Sequence, residues 1–192
     1  MRKSLFILLL LGFALGLQIA CEPPSSPAIV TRQQIWFHPM TAQADRAGIN
    51  ANPTQLILQN DDGLGAGLTI TASAPVADDD LEWVNLDLPL PVLNAGGQPW
   101  KIDSLEVCYD VSSEVPERTF ISQVRLTEMT TPDVATVPHD DGTDLHSTTP
   151  TCYGSNVADV PINGAYELSL RIAIGKTSDR IRIGAIRVFL KV

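Results

Sequence analysis

Tyr166-Glu167-Leu168-Ser169-Leu170-Arg171-Ile172-Ala173-Ile174 is the stretch that decides the fold, because large apolar residues fill every second position along it. Most residues between them are polar or small. A period of two predicts a β-strand that turns one face toward a core and the other face away from it. This stretch therefore predicts a strand at the centre of the fold.

A second strand follows after a turn over residues 175–179. Ile181 and Ile183 share one face, and the apolar residues then shift to even-numbered positions. These positions hold Ile186, Val188, Leu190 and Val192. The change of phase at Gly184-Ala185 predicts a β-bulge, which inserts one extra residue into a strand. We expect these two strands to be antiparallel neighbours.

The same period recurs earlier in the chain. Strands are predicted within residues 33–40, 55–59, 68–74, 83–90, 105–111 and 120–129. The polar region 130–156 contains three prolines and is expected to be a long loop. Seven or eight strands without a convincing long helix predict an all-β fold, a single antiparallel β-sandwich of jelly-roll type over residues 32–192.

Several strand and turn patterns resemble a family of exported bacterial domains. They are Leu86-Asp87-Leu88-Pro89 before a glycine turn, the strand 102–107, Tyr166-Glu167-Leu168, and Gly-x-x-Arg-Val over 184–188. The resemblance covers residues 81–192 and implies a jelly-roll sandwich. Members mostly have no assigned activity, so the resemblance implies no catalytic residues.

The first twenty residues have the pattern of an export signal. Arg2 and Lys3 precede an uncharged apolar run that ends at Ala20. The run is short for a spanning helix, which needs about 20 apolar residues. The proline-rich segment after it cannot prolong a helix. We expect residues 1–20 to be a cleaved signal peptide.

Ala20-Cys21 resembles the end of the bacterial lipoprotein signal, in which Leu and two small residues precede the cysteine. Ile19 is tolerated in that motif, whereas Gln18 stands where Leu is expected. The resemblance implies a lipid on Cys21, followed by a Pro/Ser-rich tether over residues 21–31. Cleavage by ordinary signal peptidase near Ala20 is the alternative. We expect anchorage to a membrane of the bacterial cell envelope, or a periplasmic or secreted protein if Cys21 carries no lipid.

Cys21, Cys108 and Cys152 are the three cysteines of the chain. An odd count in an exported protein leaves one thiol to be explained. If a lipid takes Cys21, then Cys108 and Cys152 are free to form a disulfide in an oxidising compartment. Two buried free thiols are the alternative.

The charge balance excludes one class of partner. The formal net charge is −9, whereas nucleic-acid binding needs a basic footprint. From Arg171 onward the balance reverses, with six basic residues and one acid, Asp179. We expect these cations to face acidic parts of the same domain. A basic binding face is the alternative.

The segment 139–146 is the richest set of metal-ligating residue types. It contains His139, Asp140, Asp141, Asp144 and His146. Carboxylates suit Ca²⁺, which is the one cofactor candidate, and imidazoles suit a softer metal. The segment lacks EF-hand spacing and its closing Glu. A solvated acidic turn is therefore the competing interpretation.

Tryptophan is the candidate for sugar recognition, and the chain contains Trp36, Trp83 and Trp100. Trp83 is the strongest candidate, because the alternation of its strand places it beside Asn85 and Asp87 instead of the leucines. Packing of that face under a neighbouring segment is the alternative.

The sequence contains no Gly-x-Ser-x-Gly, His-Glu-x-x-His or phosphate-binding glycine motif. We therefore expect a non-catalytic envelope protein whose sandwich serves binding or envelope structure. A carbohydrate-binding module at the cell surface is the alternative, and a hydrolase using residues 130–156 is a third hypothesis. The expected partners are a membrane, through the lipid anchor, and a glycan or an envelope protein.

Overall fold

The computed structural model describes residues 32–44, 56–60, 67–76, 81–91, 94–95 and 98–192. The predicted signal peptide, Cys21 and the tether lie outside these ranges. Helical structure within them is limited to two short 3-10 turns, Pro39–Thr41 and Pro116–Arg118. None of the helices described is long and apolar enough to cross a membrane.

β-strands make up most of the described chain. They are β1 Arg32–Phe37, β2 Gln43–Ala44, β3 Leu56–Asn60, β4 Leu68–Ala72, β5 Glu82–Leu88, β6 Asn94–Ala95, β7 Gln98–Pro99, β8 Lys101–Ser112, β9 Phe120–Thr131, β10 Val134–Asp141, β11 Thr151–Pro161, β12 Ala165–Ala173 and β13 Arg180–Lys191.

These strands form two antiparallel sheets and one small ribbon. Sheet A has six strands in the order β11-β8-β13-β4-β3, with β1 also paired to β13. Sheet B has five strands in the order β10-β9-β12-β5-β2. The strands β6 and β7 form the ribbon. The prediction of an all-β sandwich is confirmed.

The alternating residues from Tyr166 to Ala173 lie in β12, in the middle of sheet B. Leu168, Leu170 and Ile172 are fully buried on its inner face. The inward-facing side chains of β13 are equally buried, and the buried side chains of both sheets belong to one apolar cluster. Burying the side chains of one central strand from each sheet is what holds a two-layer sandwich together.

The predicted bulge in β13 is confirmed. The register between β13 and β8 shifts between Ile183 and Ile186. Before the shift, residues 181–183 pair with β4, and after it residues 186–191 pair with β1. The bulge therefore marks the point where one edge of β13 changes partner.

The prediction of a long loop over 130–156 is wrong. Strand β9 runs to Thr131, and β10 and β11 occupy most of the rest. Both are edge strands, one in each sheet. None of the eight residues of β10 is buried, so this strand carries no apolar alternation, and Pro138 lies within a register shift against β9. The described residues contain more than the expected seven or eight strands, because β10 and β11 take the place of the loop and β2, β6 and β7 are additional strands of two residues each.

A disulfide joins Cys108 to Cys152 with an S–S distance of 2.03 Å. The two residues are directly opposite each other in the β8–β11 pairing. The bond therefore ties an edge strand of sheet A to its neighbour, where the sequence predicted a bond between a loop and a strand.

Candidate functional site

Trp83 lies on the outer face of sheet B. Its strand alternates as predicted, with Val84, Leu86 and Leu88 buried in the core. Trp83 and Asn85, which flank Val84, are half-buried on the other face. A half-buried indole on an open sheet face offers a ligand both apolar surface and a rigid platform.

Polar side chains surround Trp83 because of the register of three strands. Arg171 of β12 is opposite Trp83 on one side and opposite Gln123 of β9 on the other. The next outward-facing row along the strands contains Asn85, Ser169 and Arg125. These two rows form a face of amide, hydroxyl and guanidinium groups, which we call the Trp83 face.

Arg125 contacts the indole directly. The Cζ atom of its guanidinium lies 4.5 Å from the centre of the Trp83 ring. Asp140 of β10 holds this guanidinium through an ion pair of 3.1 Å. A guanidinium packed on an aromatic ring contributes about 0.5–1 kcal/mol at exposed sites. The contact fixes both side chains and leaves the exposed part of the indole to solvent.

Asp140 is the anchor of this arrangement. Its carboxylate also accepts a hydrogen bond from the Gln123 amide. Burial of the carboxylate raises the pKa of Asp140, but the hydrogen bonds from Arg125 and Gln123 and the charge of Arg125 outweigh it and lower that pKa. Asp140 is therefore ionised at neutral pH, and its charge cancels that of Arg125.

Arg171 has a different environment. Its Cζ atom lies 5.9 Å from the centre of the Trp83 ring. Its Nε is buried and has no hydrogen-bond partner in the described chain. No ion pair to Arg171 occurs within the described ranges. Arg171 therefore brings a positive charge to the Trp83 face that no carboxylate of the described chain neutralises.

Trp36 occupies the outer face of sheet A and is 56% exposed. Arg187 lies over its ring at 4.7 Å, and Glu106 forms an ion pair with that arginine. Trp36 thus has one charge-paired guanidinium neighbour, as Trp83 has in Arg125, but among the described residues it has no unpaired second arginine like Arg171. Trp100 is 4% exposed and belongs to the core, so it provides no platform.

The late cations mostly pair within the domain, as predicted. Arg182 donates two hydrogen bonds to Asp110, from Nε at 2.9 Å and from Nη2 at 2.7 Å. Lys191 contacts Asp103 at 2.8 Å and Asp159 at 2.5 Å. Together with Arg187 and Glu106, these pairs line β13 and its neighbours on the outer face of sheet A.

A groove of about 360 Å³ also lies on the outer face of sheet A. Gly67, Gly184 and the Cys108–Cys152 disulfide border it, together with Arg182 and Asp110. Its charged groups satisfy each other through the Arg182–Asp110 pair. The groove thus offers a ligand no uncompensated charge among its described residues, and we rank it below the Trp83 face.

The structure brings together only part of the predicted metal set. Asp141 accepts hydrogen bonds from the Tyr153 hydroxyl at 2.8 Å and from Ser155. The Nε2 atom of His139 lies 2.8 Å from the Ser155 hydroxyl. His139 and Asp141 therefore join through Ser155 in a hydrogen-bonded cluster between β10 and β11.

The other three candidate metal ligands, Asp140, Asp144 and His146, lie apart from this cluster. Asp140 belongs to the Arg125 pair, and His146 contacts the Phe120 ring edge-on at 5.8 Å. Asp144 is exposed. Among the described residues, the one group of His, Cys, Asp and Glu side chains within mutual ligand distance is Glu106, Cys108 and Cys152. Its two sulfurs are joined in the disulfide and are not thiolate ligands.

The His139–Ser155–Asp141 cluster also differs from a nucleophile and its base. Ser155 is 5% exposed and donates its hydroxyl proton to the Asp141 carboxylate. His139 therefore donates to the Ser155 oxygen, whereas a catalytic histidine accepts the proton of its serine. The cluster has the geometry of a link between two strands.

Sequence reasoning found Trp83 but missed Arg125, Arg171 and Gln123. Each lies on the outer side of its strand, yet nothing in one sequence states which strands are neighbours. The usable signal was the outward position of Arg171 on the strand that decides the fold. A partly buried arginine on a central strand is stabilised by a carboxylate, by water or by a ligand.

No family model matches this sequence, and no curated protein matches it. Among solved structures, the chain is similar to the xylan-binding module CBM15, with a TM-score of 0.52 and 12% identity over 83% of this chain and 97% of that one. Both are β-sandwiches. It is also similar to CBM86, a low-affinity xylan-binding module from Roseburia intestinalis, with a TM-score of 0.45 and 13% identity over 83% of this chain and 96% of that one.

Proposed function

We propose that the domain is a non-catalytic sugar-binding module and that the Trp83 face is its binding site. The observation that carries this proposal is the half-exposed indole of Trp83 set among planar polar side chains on the open face of sheet B. A sugar ring has one apolar C–H face and a rim of hydroxyls. The indole suits the first, and amide and guanidinium groups suit the second.

Trp36 is the weaker platform. It is more exposed than Trp83, but it has no unpaired arginine like Arg171 beside it among the described residues, since Arg187 is paired with Glu106. Asn85, Gln123 and Arg171 give the Trp83 face several donors and acceptors within two rows of the sheet. Specific recognition of hydroxyls requires such groups, since apolar contact alone does not distinguish one sugar from another. The likeness in fold to a xylan-binding module supports the same general function.

Glycan-array screening followed by calorimetry tests this function. We expect wild type to bind at least one class of oligosaccharide, and Trp83→Ala to weaken that binding tenfold or more. Trp36→Ala is the matched control, since it removes an indole of the opposite sheet and should leave the affinity within twofold. A protein that binds no sugar, or one that loses binding only in Trp36→Ala, would overturn the proposal.

We also propose that the module is exported and attached to the cell envelope by a lipid on Cys21. Two facts support this. The disulfide uses Cys108 and Cys152, which leaves Cys21 as the third cysteine of the chain. A structural disulfide is typical of an oxidising compartment outside the cytoplasm. A tethered module would hold glycans at the cell surface or within the envelope.

A further inference from the structure

The charge of the Trp83 face indicates which sugars it takes. Four of the eight lysines and arginines in the described strands have carboxylate partners, among them Arg125 with Asp140 and Arg187 with Glu106. Arg171 lies on the central strand of sheet B and has none among the described residues. Its buried Nε lacks an acceptor there as well, so the desolvation of that polar group is not offset by a hydrogen bond.

No ion pair joins Arg171 to an acid among the described residues. Glu167 lies on the same strand face, four positions along β12, and its carboxylate accepts a hydrogen bond from the Ser169 hydroxyl at 3.2 Å. Asp140 is paired with Arg125. Among these residues the charge of Arg171 therefore stays unpaired beside the indole.

A carboxylate on the sugar is the group that fits this position. The guanidinium of arginine presents parallel N–H donors that match the two oxygens of a carboxylate. The Cζ atom of Arg171 lies 5.9 Å from the ring centre of Trp83, so a sugar packed on the part of the indole that Arg125 does not cover has its carboxylate within reach of this guanidinium. A neutral sugar would leave the positive charge of Arg171 unpaired.

We propose that the Trp83 face binds acidic oligosaccharides that contain uronic acid residues, with Arg171 receiving the sugar carboxylate. This inference rests on the proposed sugar-binding function and specifies its ligand class. The acidic protein as a whole, with a formal charge of −9, repels polyanions at long range. Selection of a uronate by this protein therefore has to come from a local contact such as the one at Arg171.

The test compares uronic acid oligosaccharides with their carboxyl-reduced, neutral counterparts in calorimetry on the purified full-length protein. Oligomers of galacturonate, glucuronate and mannuronate serve as probes. A sulfated oligosaccharide is an additional probe, which tests whether the site prefers a different anionic group. We expect wild type to bind an acidic form at least tenfold more tightly than its reduced counterpart. Arg171→Gln should abolish this preference, and Arg187→Gln, which changes the arginine beside Trp36, should preserve it.

Folding and charge are controlled separately. Arg171→Gln removes an unpaired charge, so its thermal unfolding midpoint should equal or exceed that of wild type. Arg171→Lys should keep part of the preference, because it retains the charge and loses the fork geometry. Equal binding of acidic and neutral forms would overturn the inference and leave the sugar-binding function standing. Tighter binding of the sulfated probe than of every uronate would also overturn it. A protein that binds no probe at all would overturn both.

Discussion

Asp141 shows how a single carboxylate can join the open edges of two sheets. It lies at the end of β10 in sheet B and accepts hydrogen bonds from Tyr153 and Ser155 of β11 in sheet A. It also accepts from the backbone N–H of Thr143 at 3.1 Å. The carboxylate therefore closes one side of the sandwich, where β10 and β11 belong to different sheets.

Asp141→Asn tests this link through its pH dependence. Burial raises the pKa of Asp141, but hydrogen bonds from Ser155, Tyr153 and Thr143 outweigh it and lower that pKa from 3.8 to about 2. A lowered folded-state pKa stabilises the protein above the unfolded-state value of about 3.9, and the effect is lost as pH falls toward 2. The carboxylate should thus contribute roughly 2 kcal/mol at pH 7.

Urea unfolding at several pH values measures the effect. The difference in unfolding free energy between wild type and Asp141→Asn should be largest above pH 5 and should shrink between pH 4 and pH 2. Asp144→Asn, which removes an exposed carboxylate from the same segment, should show little difference at any pH. A difference for Asp141→Asn that stayed constant from pH 7 to pH 2 would contradict this account.

At the scale of elements, the sequence predicted the strands that bury one whole face and missed the edge strands β10 and β11, which bury few residues or none. The alternation of β12 and β13 is clear because each strand sends every second side chain into the core. Strand β10 lies at an edge and has no buried residue, so its sequence resembles a loop. Edge strands of this kind are exposed to solvent by position, which a periodicity argument does not detect.

The candidate site also has one part that the sequence predicted and one part that it did not. The outward position of Trp83 followed from the alternation of its own strand, and the structure has that alternation. The contacts with Arg125 and Arg171 depend on which strands are neighbours and in what register. Pairing across a sheet is decided by long-range packing, so the sequence of each strand alone does not contain it.

Gly67 is an element-scale test of the junction at the β13 bulge. A Cβ atom at this position would lie 2.5 Å from the carbonyl oxygen of Ile183, a backbone atom that the sheet holds in place. Gly67→Ala should therefore destabilise the protein by about 1–3 kcal/mol, as overpacking does. Gly154→Ala is the matched control, since a Cβ atom added at Gly154 would meet nothing within 4 Å among the described residues.

Chemical denaturation of the two variants provides the comparison. Gly154→Ala should remain within about 0.5 kcal/mol of wild type, as surface substitutions usually do. Equal stabilities for the two variants would show that β4 and β13 can separate at this junction without cost.

At the scale of the whole molecule, basic residues concentrated at the end of the sequence form ion pairs with acidic residues from earlier segments. The cations of β13 face acids of β8 and of the segments beside it, as in Arg182 with Asp110 and Lys191 with Asp103. Such exposed pairs contribute little stability individually, about 0–1 kcal/mol. Their larger consequence is that Arg182, Arg187 and Lys191 of sheet A are charge-paired, whereas Arg171 on the opposite sheet has no ion pair among the described residues.

The tether at Cys21 is the prediction that concerns the molecule as a whole. If Cys21 carries a lipid, the mature protein has no free thiol, because Cys108 and Cys152 are joined. If Cys21 is present without a lipid, the protein has one free thiol.

Thiol titration of the denatured, unreduced protein distinguishes these two cases. We expect it to find no free thiol, and we expect the protein to partition with membranes and into detergent. Cys21→Ser should move it to the soluble fraction with sugar binding unchanged, whereas Cys108→Ser should remain with the membrane. Two outcomes would contradict the lipid anchor: a soluble wild type with one reactive thiol, or a Cys21→Ser variant that remains bound to the membrane. Either outcome would show that no lipid on Cys21 attaches the protein to the membrane.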